Sequence, residues 1–142
     1  MAVVPDIDHL SSAITHATAP AFMLGAVAGF LSILTVRLER ILDRNRALQA
    51  EGVALEASVK ETVAKSFSRR MALLSNAIYL AVLSALVTAT LLIAAFAAAL
   101  TGLGHGAIVA VLFTVALGLL MASLVQFARE IRLQMATMHL DA

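Results

Sequence analysis

Between Arg70 and Arg129 the chain runs for 58 residues without one Asp, Glu, Lys or Arg. A fold surrounded by water needs charge on its outward faces, so a stretch of this length and composition calls for lipid as its solvent. A second charge-free run covers residues 9–36, and the segment between the two, 37–70, carries eight of the ten basic residues. Hydrophobic residues make up 61% of the chain and charged residues 13%, against about 25% charged in soluble domains. The alternation describes a polytopic membrane protein of one compact unit. With no cysteine in the chain, disulfides, thiolate metal sites and cysteine nucleophiles are excluded.

A membrane helix takes about 20 apolar residues to cross roughly 30 Å of hydrocarbon. In lipid the backbone must satisfy its own hydrogen bonds, so such runs fold as helices. Ala19 to Val36, extended by Leu38, supplies a first span over 19–38. The long run divides at Thr101-Gly102-Leu103-Gly104-His105-Gly106, where alternating glycines favour a tight turn over 101–106. That leaves a second span at 71–100 and a third at 106–128, followed by a tail over 129–142. Asp6 and Asp8 precede the first run and no Lys or Arg does, so the run reads as a retained span rather than a cleaved signal. Ile7, Leu10, Ile14 and Ala17 step helically before Pro20, which predicts an outer interfacial helix over 6–18, turned or kinked at the proline.

Lys and Arg mark the cytoplasmic side. Segment 37–70 has eight of them, the tail has Arg129 and Arg132, and the N-terminal segment and glycine turn have none. The expected topology has the N-terminus outside and the C-terminus inside. Leu38, Ile41, Leu42 and Leu48 prolong the first helix, Gly52 interrupts, and Leu55, Val59, Val63, Phe67 and Met71 step by four into the second span. Segment 37–70 therefore reads as an antiparallel helical hairpin, with Glu56–Lys60 and Glu61–Lys65 as supporting pairs four residues apart. The fold class expected is all-α, with three transmembrane helices and helices one and two extended into that hairpin.

Three stretches stand out together: Arg37-Leu38-Glu39-Arg40-Ile41-Leu42-Asp43-Arg44-Asn45-Arg46-Ala47-Leu48, then Arg69-Arg70 with Asn76-Ala77-Ile78, then Phe127-Ala128-Arg129-Glu130-Ile131. With Ala19-Pro20 at the entry to the first span, the arrangement resembles a family of small bacterial membrane proteins catalogued as domain of unknown function 2721. The resemblance covers most of residues 8–135. It implies a three-span protein of the bacterial inner membrane, and it brings no activity and no catalytic residues.

Two sets of polar or small residues are the sites to watch. At the cytoplasmic boundary Arg37, Arg40, Asp43 and Arg44 approach the depth of Asn76, Gln126, Arg129 and Glu130. The expectation is an interhelical network, with Arg40 or Arg44 paired to Glu130 and Asp43 to Arg129, and with Arg69 and Arg70 snorkelling to lipid headgroups. Within the spans, Ala21, Gly25 and Gly29 step by four, as do Thr114, Gly118 and Ala122, and Ser84 and Thr88 populate the second span. Stripes of this kind let helices approach closely; lining a pore is the alternative and needs several subunits. His9 and His16 lie two turns apart, too far for one metal, with His105 in the outer turn.

No phosphate-binding loop, metal-spaced His/Glu pair or nucleophile elbow is present, and neither enzyme activity nor a cofactor is expected. The hairpin has a net charge of +3, from eight basic and five acidic residues, and no interleaved aromatics, so nucleic acid is not an expected partner. The expected partners are the bilayer and its anionic headgroups at the inner face, further copies of the chain, and a protein contacted through the hairpin. A structural or interaction component of the membrane is the leading reading, and an oligomeric ion channel the alternative.

Overall fold

The computed structural model describes residues 7–50, 57–101 and 106–138, which form three helices: α1 (Ile7–Ala50), α2 (Ala57–Thr101) and α3 (Gly106–Met138). All three are long and apolar enough to cross a membrane. At 1.5 Å per residue they measure about 66, 68 and 50 Å, so each exceeds a 30 Å hydrocarbon layer and α1 and α2 exceed it about twofold. α2 carries its surplus into the basic segment, and α1 extends both into that segment and back to Ile7. The Gly52 break, the Glu56–Lys60 pair and the glycine turn lie outside the described residues.

α1 runs through Pro20 as one helix, so residues 7–18 belong to the same element as the first span. A proline inside a helix removes one N–H donor. Here the proline is buried, and burial in protein is the setting in which membrane helices tolerate it.

α2 is the central element and packs along both α1 and α3. Its buried positions are Leu74, Ala77, Ala81, Ser84, Thr88 and Leu91, all fully buried, and they advance by alternate steps of three and four. That is a heptad seam, the pattern of a left-handed bundle. α1 presents Pro20, Met23, Val27, Phe30 and Leu34 in the same rhythm, and α3 presents Phe113, Ala116, Leu120, Ser123 and Phe127, with Phe30, Phe113, Leu120 and Phe127 partly buried.

In lipid the exterior is as apolar as the interior, so helices associate through close packing and polar contacts. The seam of α2 meets that demand with small side chains. Two reciprocal hydrogen bonds clamp it to α3: Ser84 Oγ donates to the Ala116 carbonyl at 2.8 Å, and Ser123 Oγ donates to the Ala77 carbonyl at 2.6 Å. In each pair the residue numbers sum to 200, which fixes α2 and α3 as antiparallel neighbours in one register. Thr88 Oγ1 donates back to the Ser84 carbonyl at 2.8 Å and lies 4.0 Å from the Met23 sulfur on α1.

The outward surface is built for lipid. Phe22, Tyr79, Ile93, Leu100 and Met121 are exposed. The exposed threonines 35, 90 and 114 each return their hydroxyl to the carbonyl four residues earlier, at 2.9 Å. These three hydroxyls thereby show no unmet donor to the bilayer.

Candidate functional site

The heptad seams of all three helices continue past the apolar zone, and there they carry charge. Seven residues beyond Phe30 the α1 seam reaches Arg37; seven before Ala77 the α2 seam reaches Arg70; seven beyond Ser123 the α3 seam reaches Glu130. Each therefore points into the bundle, and the three meet. Glu130 is 1% exposed. Arg37 Nη1 donates to its Oε2 at 3.1 Å, and Arg70 Nε lies 3.9 Å from its Oε1. The second contact is Coulombic only, because 3.9 Å exceeds hydrogen-bonding distance and Arg70 Nε is buried with no hydrogen-bond partner.

Aromatic packing holds the stronger arm in place. Phe30 and Phe127 meet edge to face with centroids 5.5 Å apart, and the Arg37 guanidinium lies 5.1 Å from the centroid of the Phe127 ring. Arg37 also donates to Gln134 Oε1 at 3.2 Å. Two cations around one buried carboxylate compensate its desolvation, the condition under which a buried charge is tolerated.

The same rhythm explains where the other anticipated residues went. Arg40 and Asp43 fall off the α1 seam, Arg44 lies on it one heptad beyond Arg37, and all three are exposed, with Asp43 3.7 Å from Arg46 on its own helix. The pairings anticipated for Glu130 and Asp43 are thus replaced: Arg37 and Arg70 hold Glu130, and Arg70 is drawn inward instead of snorkelling. Asn76 and Arg129 are exposed, and Gln126 is half-buried with its Oε1 inaccessible and unpartnered. Of the small and hydroxyl residues, Ser84 and Thr88 are interior. Ala21, Gly25 and Gly29 on α1, and Thr114, Gly118 and Ala122 on α3, lie on the outer surface. A Cβ built on Gly25, Gly29 or Gly118 would meet nothing within 4 Å.

The model of a family described as protein of unknown function, DUF2721, matches residues 17–140. The chain belongs to the DUF2721 family. No curated protein and no solved structure matches it. In this DUF2721 protein the matched stretch contains all three charged seam residues and both serine clamps.

A groove of about 460 Å³ opens beside the charged cluster, lined by Arg69 and Leu73 of α2 and by Arg129, Arg132 and Leu133 of α3. Sequence reasoning placed Arg69 at the headgroups and left Arg132 as a topology marker. The antiparallel register that makes them neighbours, with Arg69 opposite position 131, was the missing information. Among the described residues no group of three or more His, Cys, Asp or Glu could hold a metal. The histidines weighed as ligands, His9, His16 and His105, lie outside the residues whose side chains are described.

Proposed function

We propose that this protein is a small, homo-oligomeric structural or interaction component of the bacterial inner membrane. Its N-terminus lies outside, its C-terminus inside, and the prolonged ends of α1 and α2 form a cytoplasmic hairpin that serves as its contact surface. The observation that carries this reading is how the bundle uses its polar groups. The buried hydroxyls of Ser84, Thr88 and Ser123 are committed to carbonyls within the bundle, and every Lys, Arg and Glu falls within 37–70 or 129–132. Such a core is suited to holding a shape, and it offers no chain of groups through which an ion or proton would step.

The open faces at Gly25 and Gly118 support self-association, since small residues let backbones of neighbouring subunits approach. The exposed run Glu61–Ser66 on α2 supports the contact role of the hairpin. Anionic headgroups of the inner leaflet complete the set of partners, attracted by the basic end of the bundle.

The test is the oligomeric state in native membranes and in mild detergent. Because the chain has no cysteine, Gly25→Cys and Gly118→Cys can be cross-linked cleanly. A defined multimer with a closed axis is expected. A chain monomeric under all conditions would refute self-association. A ring with a continuous wet axis and ion flux in proteoliposomes would establish the channel alternative instead.

A further inference from the structure

We propose that the groove between α2 and α3 is a binding site for the phosphate headgroup of an anionic phospholipid. It deepens the diffuse headgroup contact included in the function proposed above by giving it a defined place and stoichiometry. Arg69, Arg129 and Arg132 line the groove, and among the described residues none of the three has an ion-pair partner. The acid nearest in sequence, Glu130, faces away into the bundle and is engaged by Arg37 and Arg70. Among the described residues, three guanidinium groups thus share one groove without a counter-charge, an arrangement that repels itself until an anion arrives. Guanidinium forks match phosphate oxygens bidentately, which sets a phosphate above a chloride.

Depth and lining select a lipid over a soluble phosphate. Arg129 directly follows the 58-residue uncharged run and Arg69 precedes it by two positions, so both stand where the hydrocarbon ends and lipid phosphates lie. Leu73 lies one turn deeper than Arg69 and forms an apolar wall, and Val125 and Met121 continue an exposed apolar surface along α3 toward the membrane centre. An acyl chain running down that surface from a phosphate held by the arginines would satisfy both parts of the groove. The volume, about 460 Å³, falls in the range of sites for small amphiphilic ligands.

Native mass spectrometry of the full chain in detergent tests this, with phosphatidylglycerol, phosphatidylcholine and inorganic phosphate added separately. Wild type is expected to retain one phosphatidylglycerol with at least about fivefold preference over phosphatidylcholine, and each groove arginine removed should lower that preference about fivefold. Arg129→Gln with Arg132→Gln should abolish it, while Arg40→Gln with Arg44→Gln, equal in charge but outside the groove, should leave it intact. Far-UV circular dichroism verifies the fold, and the milder Arg69→Gln serves if the double variant fails to assemble. Equal retention of the two lipids would overturn the proposal, as would equal losses from the Arg40/Arg44 variant. Displacement of the lipid by millimolar inorganic phosphate would show a soluble-anion site instead. Loss of the groove site would leave self-association and diffuse headgroup contact untouched, so its failure is separable from that of the proposed function.

Discussion

Removing both Arg37 and Arg70 should damage the bundle far more than removing either, and removing Glu130 as well should repair most of the damage. The reason is the asymmetry of exposure: Glu130 is 1% exposed, whereas the side chains of Arg37 and Arg70 are 35% and 23% exposed. The arginines can turn toward water or headgroups when orphaned, and the carboxylate cannot. At an effective dielectric near 20, contacts of 3.1 and 3.9 Å correspond to roughly 5 and 4 kcal/mol of gross attraction, much of it offset by the several kcal/mol of desolvating the carboxylate. Arg70→Gln leaves the hydrogen-bonded arm intact and should cost about 1 kcal/mol or less. Arg37→Gln removes a charge-assisted hydrogen bond and should cost about 1.5–3 kcal/mol. The double variant strands the carboxylate and should cost at least about 3–5 kcal/mol. In an Glu130→Gln background the same two changes should cost about 1 kcal/mol together, since no buried charge remains to be orphaned. With no Trp and one Tyr in the chain, the assay is detergent-titrated unfolding followed by far-UV circular dichroism. If the two arginine substitutions cost the same with and without Glu130, the carboxylate is not what they hold and the reasoning fails.

The remaining predictions concern packing and topology. Ser84→Ala and Ser123→Ala should each cost about 0.6 kcal/mol, the average for an interhelical hydrogen bond in a membrane; losses several times larger would mean the hydroxyls do more than clamp α2 to α3. Ala81→Leu, in a fully buried seam position, should destabilise by about 1–3 kcal/mol through overpacking, as read in the same unfolding titration. Gly25→Leu and Gly118→Leu enter open space and should leave the unfolding midpoint of the single chain nearly unchanged while shifting the oligomer distribution on size-exclusion chromatography. Single cysteines introduced at Ser66 and Thr101 should label from opposite sides of sealed inverted and right-side-out vesicles, Ser66→Cys from the cytoplasmic side; labelling from one side would refute the topology.

The spans were legible because hydropathy reports the solvent directly, and lipid leaves an unmistakable mark on composition. The seams were not, because in a membrane both faces of a helix are apolar and hydrophobicity no longer separates inside from outside. Reading small residues at steps of four selected Ala21, Gly25 and Gly29, yet such a row precesses by about 40° at each step and here lies on the outer surface. The interior follows the seven-residue repeat, visible in hindsight in Ala77–Ser84 on α2 and Ala116–Ser123 on α3. Continuing those repeats picks Arg37 over Arg40, and Arg70 over Arg69, as the residues that reach Glu130, with Arg44 on the same seam one heptad too far along. Depth along the bilayer was readable from charge; azimuth around each helix needed the repeat.

The sum of 200 shared by Ser84–Ala116 and Ala77–Ser123 is shared also by Arg70–Glu130. An apolar seam of small residues on a heptad is nearly degenerate: sliding α3 by seven residues would set Ser123 against Ser84 and still pack. The same slide would carry Glu130 to Ala77 and strand its charge in hydrocarbon with no cation beside it. The ionic layer thus acts as an end-stop for a helix pair that would otherwise have several resting positions. α3 finds its depth when its one carboxylate reaches arginines already waiting on α1 and α2.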